Sequence, residues 1–173
     1  MENQVNTKSI ILNNGLYLGL TGVLVGLILY ATGSAIELQW INTIVSIVAT
    51  VAFIILGIKK YKEENGGYIS WGQGVKVGMG IAMVSGIIAV IYTLLFTNVI
   101  APEFQQQAME VQQKAWLDAG MTEEQIESAA EMTQKFQTPG ILTAVILASA
   151  AFFGFIISAI VAAVMKKSEE ENY

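Results

Sequence analysis

Arginine, histidine and cysteine are all missing from this 173-residue chain, and proline occurs only twice. Without cysteine there is no disulfide, no thiol nucleophile and no thiolate metal site. Without histidine the commonest general base and metal ligand is gone. No serine stands beside a plausible base and no Gly-rich phosphate loop of the Walker kind occurs, so the residues lend no support to an enzyme and imply no cofactor. Charge is scarce too: 13% of residues are charged against 54% apolar, too little to cover the exposed helix faces of a soluble domain. Four stretches, 10–32, 41–58, 77–99 and 140–165, hold no Asp, Glu or Lys at all. A helix rises about 1.5 Å per residue and needs about 20 apolar residues to cross a hydrocarbon core roughly 30 Å thick. The chain is therefore expected to be one all-α membrane domain over 1–173, an integral membrane four-helix bundle surrounded by lipid.

The nine lysines sit almost entirely at the ends of these stretches. Lys8 precedes the first; Lys59, Lys60, Lys62 and Lys76 lie between the second and third; Lys166 and Lys167 close the fourth. Under the positive-inside rule that side is cytoplasmic, which places both termini inside. The opposite side keeps only Lys114 and Lys135 among eight acids, Glu37, Glu103, Glu110, Asp118, Glu123, Glu124, Glu127 and Glu131. Ala31, Gly33 and Ala35 offer small residues of the kind a signal peptidase reads, but the first apolar stretch exceeds the roughly 7–15 residues of a signal-peptide core. It is expected to stay as a span.

Glycines mark the expected packing faces. Gly15, Gly19, Gly22, Gly26 and Gly33 recur at spacings of 4, 3, 4 and 7 along the first span, a stripe on one helix face that would let a second helix approach closely. Gly74 and Gly78 repeat the small-residue spacing on the third span, and Ala150, Gly154 and Ser158 do so on the fourth.

Between the second and third spans, Asn65, Gly66 and Gly67 form a turn signal, and Ser70 followed by Gln73 fits a capping box that starts a helix near Trp71. Tyr68 and Trp71 suit headgroup depth, where Lys76 can snorkel outward. This segment, a basic stretch with Tyr61, then the Gly-rich turn, then Ile69, Ser70, Trp71 and Gly72 leading into a span that carries Gly74 and Gly78, resembles the DUF4199 family. Pro102 after the third span, the length and the four-run layout fit as well. The resemblance implies a small multi-span bacterial membrane protein, in the cytoplasmic (inner) membrane, with no established activity and no catalytic residue to carry over.

The segment 100–139 holds nine charged residues, which insertion would bury at up to about 3 kcal/mol each, so it stays outside the bilayer. It reads as an outer helical hairpin over 102–137. Pro102 suits a first helical position, Gly120 a C-terminal cap, and Thr122 with Gln125 a second helix start, with Met121 and Ile126 placed as a hydrophobic staple. Phe104, Ala108, Val111 and Ala115, flanked by Met109 and Trp116, give the first helix an apolar face; Ile126, Ala129, Ala130 and Thr133 give the second its own. These faces either pack on each other and on the bundle rim, or, through Phe104, Trp116 and Ile126, offer a surface to a partner. The run Glu123, Glu127 and Glu131 reads as a solvated helix face rather than a metal site.

The spans carry no ionisable acid or base, the usual marker of an ion-coupled carrier. Asn42, Ser46 and Thr50 recur at spacings of 4 and form a weak polar seam on the second span. The expected function is a non-enzymatic scaffold, assembly or accessory component, with a membrane protein or a second copy as partner and no nucleic acid. The alternative is a small channel or carrier for a neutral or weakly charged solute.

Overall fold

The computed structural model describes residues 5–167. The extreme termini, assigned to the cytoplasmic side by the lysine count, fall at 1–4 and 168–173, outside the described residues. Among the described residues six α-helices follow one another: α1 (Thr7–Ala31), α2 (Gln39–Glu64), α3 (Trp71–Leu95), α4 (Phe104–Asp118), α5 (Glu123–Phe136) and α6 (Pro139–Met165). A π-helical turn, Phe96–Ile100, prolongs α3. Four helical stretches are long and apolar enough to cross a membrane: Thr7–Ala31, Gln39–Glu64, Trp71–Ile100 and Pro139–Met165. The chain is an all-α helical bundle and a multi-pass membrane protein. It divides into two compact units, one made of the residues up to Ala89 and from Leu147 onward, the other of Val90–Ile146.

Local chemistry sets the helix ends. The side chain of Asn6 accepts from the Ser9 amide at 3.0 Å and caps α1. At the start of α3 the Gln73 amide donates to the Ser70 hydroxyl at 3.2 Å and the Ser70 amide donates to Gln73 Oε1 at 2.8 Å, so the capping box forms and Trp71 is the first helical residue. The same reciprocal pair joins Thr122 and Gln125 at the start of α5. Gly66 and Gly67, at φ +67° and +90°, turn the chain between α2 and α3 through the left-handed region, where side chains are strained. Pro139 occupies the first position of α6, where its missing N–H is not needed.

Two boundaries differ from the sequence expectation. The second span ends at Ile58 by hydrophobicity, yet α2 runs on to Glu64. A helix leaving the apolar core needs only good helix formers, and Lys59 and Glu63 make an exposed i, i+4 pair at 3.9 Å. Pro102 is not the first residue of α4, which begins at Phe104. The residue before a proline is driven out of the helical region, and Ala101 accordingly sits at φ −144°, ψ 68° and is fully buried where the π turn stops.

In the first unit the core gathers at one end. Ile10 from the start of α1, Ile54 and Ile58 from the end of α2, Val77 and Ile81 from the first turns of α3, and Ile69 from the loop between are all within 2% of complete burial. That is the end that carries the lysines. Further along α1 and α2, Leu24, Ile28, Trp40, Ile44, Ile47 and Val48 are exposed. Side chains of this kind on spanning helices face lipid rather than water.

Candidate functional site

Helix α3 is the hub of the first unit, because three of its faces meet three other helices at positions without room for a side chain. Toward α6, a methyl group placed on Gly74 would lie 2.7 Å from the Ala162 Cβ, one on Gly86 2.8 Å from the Ala150 Cβ, and one on Gly154 2.5 Å from the Ala82 Cβ. On Gly78 it would run into the Ser158 hydroxyl. The result is an antiparallel seam in which Gly74, Gly78, Ala82 and Gly86 oppose Ala162, Ser158, Gly154 and Ala150, one small pair per helical turn. Ser158 is completely buried there and its hydroxyl has no hydrogen-bond partner among the described residues. In lipid no hydrophobic effect draws helices together, so such close backbone approach supplies the association through van der Waals contact.

Toward α1 the row is parallel. A methyl on Gly80 would meet Ile11 at 2.7 Å, one on Gly15 would meet Val84 at 2.6 Å, and one on Gly19 would meet Ile88 at 2.6 Å. Toward α2 a methyl on Gly57 would collide with the tip of Ile81.

Of the glycines singled out by spacing, Gly15, Gly19, Gly74, Gly78 and Gly154 lie in these seams. Gly22 does not: nothing stands within 4 Å of a methyl placed there. The contact row on α1 is Ile11, Gly15 and Gly19, at strict i+4 spacing, and three residues past Gly19 the helix has turned about 300°, which carries Gly22 off the row. Gly26 is half-buried further along. Gly57, Gly80 and Gly86 were absent from the spacing argument, although Gly86 continues the four-residue rhythm of Gly74 and Gly78 through Ala82.

At the lysine end a clasp joins the exit of α6 to the α2–α3 turn. The Ile69 amide donates to the Lys167 carbonyl at 3.0 Å and the Lys167 amide returns to the Ile69 carbonyl at 2.9 Å. Lys62 Nζ donates to the Met165 carbonyl at 2.9 Å, filling one of the acceptors that every helix C-terminus leaves open. The indole N–H of Trp71 donates to the Ala159 carbonyl at 3.1 Å, and the Lys167 ammonium stands 5.3 Å from the centre of the Tyr68 ring, a cation–π distance.

Polar groups within the spans mostly turn to their own helix. Asn14 donates to the Ile10 carbonyl at 2.8 Å, Thr21 to the Tyr17 carbonyl at 2.8 Å and Thr50 to the Ser46 carbonyl at 2.7 Å. The Asn42, Ser46 and Thr50 row is thus partly self-satisfied, while Asn42 Oδ1 is buried without a hydrogen-bond partner among the described residues.

In the second unit α4 and α5 pack as a hairpin. Ile126 and Ala130 are the buried residues of α5, whereas α4 has none. Ile126 lines a groove of about 410 Å³ with Leu117, Gln113 and the carboxylates Glu123, Glu127 and Glu131. Of the three side chains that the sequence offered either to the hairpin's own packing or to a partner, Ile126 is buried, Phe104 and Trp116 are half-buried, and Phe104 packs edge-on against Phe96 at 5.2 Å. The large apolar side chains the hairpin does expose are Val111, Leu117, Met132 and Phe136.

No curated protein and no solved structure matches the chain. A family model described as "Protein of unknown function (DUF4199)" matches residues 13–167, a span that takes in the α3 seams except for Ile11, together with the clasp and the hairpin. The chain belongs to the DUF4199 family.

Proposed function

We propose that this protein is a non-enzymatic scaffold, assembly or accessory component of a bacterial cytoplasmic membrane, with the lysine end and both termini inside and the α4–α5 hairpin outside. The observation that carries the reading is the α3 hub. Where a channel or carrier would open a polar path between spans, α3 meets α6 at backbone contact, and the hydroxyl that faces the seam, Ser158, is sealed from solvent. The spans bring no acid or base to that interface, so the means of coupling solute movement to an ion are missing. The surface that reaches beyond the bilayer is the hairpin, with Val111, Leu117, Met132 and Phe136 exposed, and this is where a membrane-protein partner or a second copy would be engaged.

Affinity purification in mild detergent tests the role. The expected result is a stoichiometric protein partner lost on Leu117→Gln with Phe136→Gln, while proteoliposomes pass neutral solutes no faster than empty ones. Solute flux at a catalytic rate, with no partner, would replace the scaffold by a carrier. Orientation has its own test: a reporter inserted at Gly66 is expected to be active only in a cytoplasmic form, and one at Gly120 only in an exported form. An exported signal at Gly66 would reverse the assignment.

A further inference from the structure

The parallel register of α1 and α3 has a consequence at their first turns. Ile11 meets Gly80, Gly15 meets Val84 and Gly19 meets Ile88. One turn earlier the same row brings Lys76 level with Thr7 and its neighbour Lys8. Both lysines are exposed, and neither helix has an acidic residue in its first turn. The acids at this end among the described residues are Glu63 and Glu64, on the last turn of α2, and Glu63 is turned to Lys59 at 3.9 Å. Lys62 is held by the Met165 carbonyl and Lys167 stands over Tyr68. Lys8 and Lys76 are thus two like charges brought to one level by helix packing, and neither forms an ion pair with a described residue. One turn before Lys76 on the same face comes Gly72, where a methyl would find no described atom within 4 Å.

We propose that Lys8 and Lys76 form a notch between α1 and α3 that binds the headgroup phosphate of an anionic phospholipid. The lipid source follows from position. Trp71, at the start of the same helix, is half-exposed, at the depth aromatic rings prefer at a bilayer surface, and an ammonium carried on an apolar stem reaches out of the hydrocarbon at that level. Two lysines facing one phosphate at the edge of a low-dielectric phase gain more than either does in water. The notch rests on the spanning helices but not on which side is cytoplasmic, since detergent-solubilised protein samples added lipid from either face.

Native mass spectrometry of the full chain with added phosphatidylglycerol or phosphatidylcholine reads the notch directly. The expected result is one retained phosphatidylglycerol, favoured about tenfold over phosphatidylcholine, with the preference abolished in Lys8→Gln/Lys76→Gln and kept in Lys59→Gln/Lys60→Gln. Lys76→Arg should keep it, which separates lost charge from lost folding. Excess inorganic phosphate should leave the lipid in place. Displacement by inorganic phosphate would mark a site for free anion instead of lipid and overturn the lipid assignment. Equal retention of the two lipids, or equal loss in both glutamine pairs, would reduce the notch to a diffuse field of lysines. A preference that emerges only in Glu2→Gln would mean that the chain's own carboxylate fills the notch, and would overturn the proposal as well.

Discussion

Replacing Gly78 with leucine is expected to destabilise the first unit by about 3 kcal/mol, the upper end of what overpacking costs, whereas leucine at Gly22 is expected to stay within about 0.5 kcal/mol of the starting protein. The contrast comes from what each new side chain meets. Even a methyl on Gly78 would strike the buried Ser158 hydroxyl, with Ile54 closing the space from α2 at 3.0 Å. Four carbons have nowhere to go unless α6 moves away from α3, which would break the neighbouring small pairs on both sides. Gly22 faces open space, and leucine there adds a lipid-compatible side chain and a better helix former. Unfolding in a detergent–denaturant titration, followed by the helical circular dichroism signal, separates the two. Equal losses would mean that the seam is not what holds the bundle.

The second large effect is a coupling. Ile81→Ala is expected to cost about 3 kcal/mol, because the side chain is fully buried and its removal leaves a cavity. Gly57→Ala alone should be nearly neutral: the added methyl collides with the tip of Ile81, but alanine gains about 1 kcal/mol of helix propensity over glycine. In the Ile81→Ala background the collision is gone and the methyl enters the cavity. Gly57→Ala should then stabilise, and the cycle should give a coupling of about 1 kcal/mol or more. Additive losses would show that α2 and α3 do not meet at this pair.

The spans were legible because the bilayer leaves one solution for a long charge-free run: a helix. Helix starts were legible wherever a side chain alone supplies the missing acceptor, as with Ser70 and Gln73 or Thr122 and Gln125. The α1 packing face was only half legible. Spacings of 4, 3, 4 describe the stripe of a supercoiled pair, but α1 meets α3 along an i+4 ridge, so Gly15 and Gly19 lie on the contact and Gly22 does not. Sequence alone does not choose between these ridges, since the partner helix decides. The clasp was hidden for a different reason. Its acceptors are the carbonyls of Ala159, Met165, Lys167 and Ile69, and every residue carries a carbonyl. The fate of Ile126 turned on the hairpin as well: an apolar residue at a staple position is equally suited to docking a partner and to closing its own groove.

The clasp also orders events in time. Lys62 and the Met165 carbonyl that it holds are 103 residues apart, and Trp71 reaches the Ala159 carbonyl across 88. During synthesis the first three spans are complete long before the residues from Ala159 to Lys167 leave the ribosome. Until then the Gly74, Gly78, Ala82 and Gly86 face of α3 has no partner, Ser158 does not yet exist to meet it, and the turn that carries Ile69 has nothing to bridge. The hub becomes a closed core only when the final helix inserts, so a chain cut short before α6 would leave the ribosome as three inserted spans with an open glycine face, a surface that membrane quality control can recognise and remove.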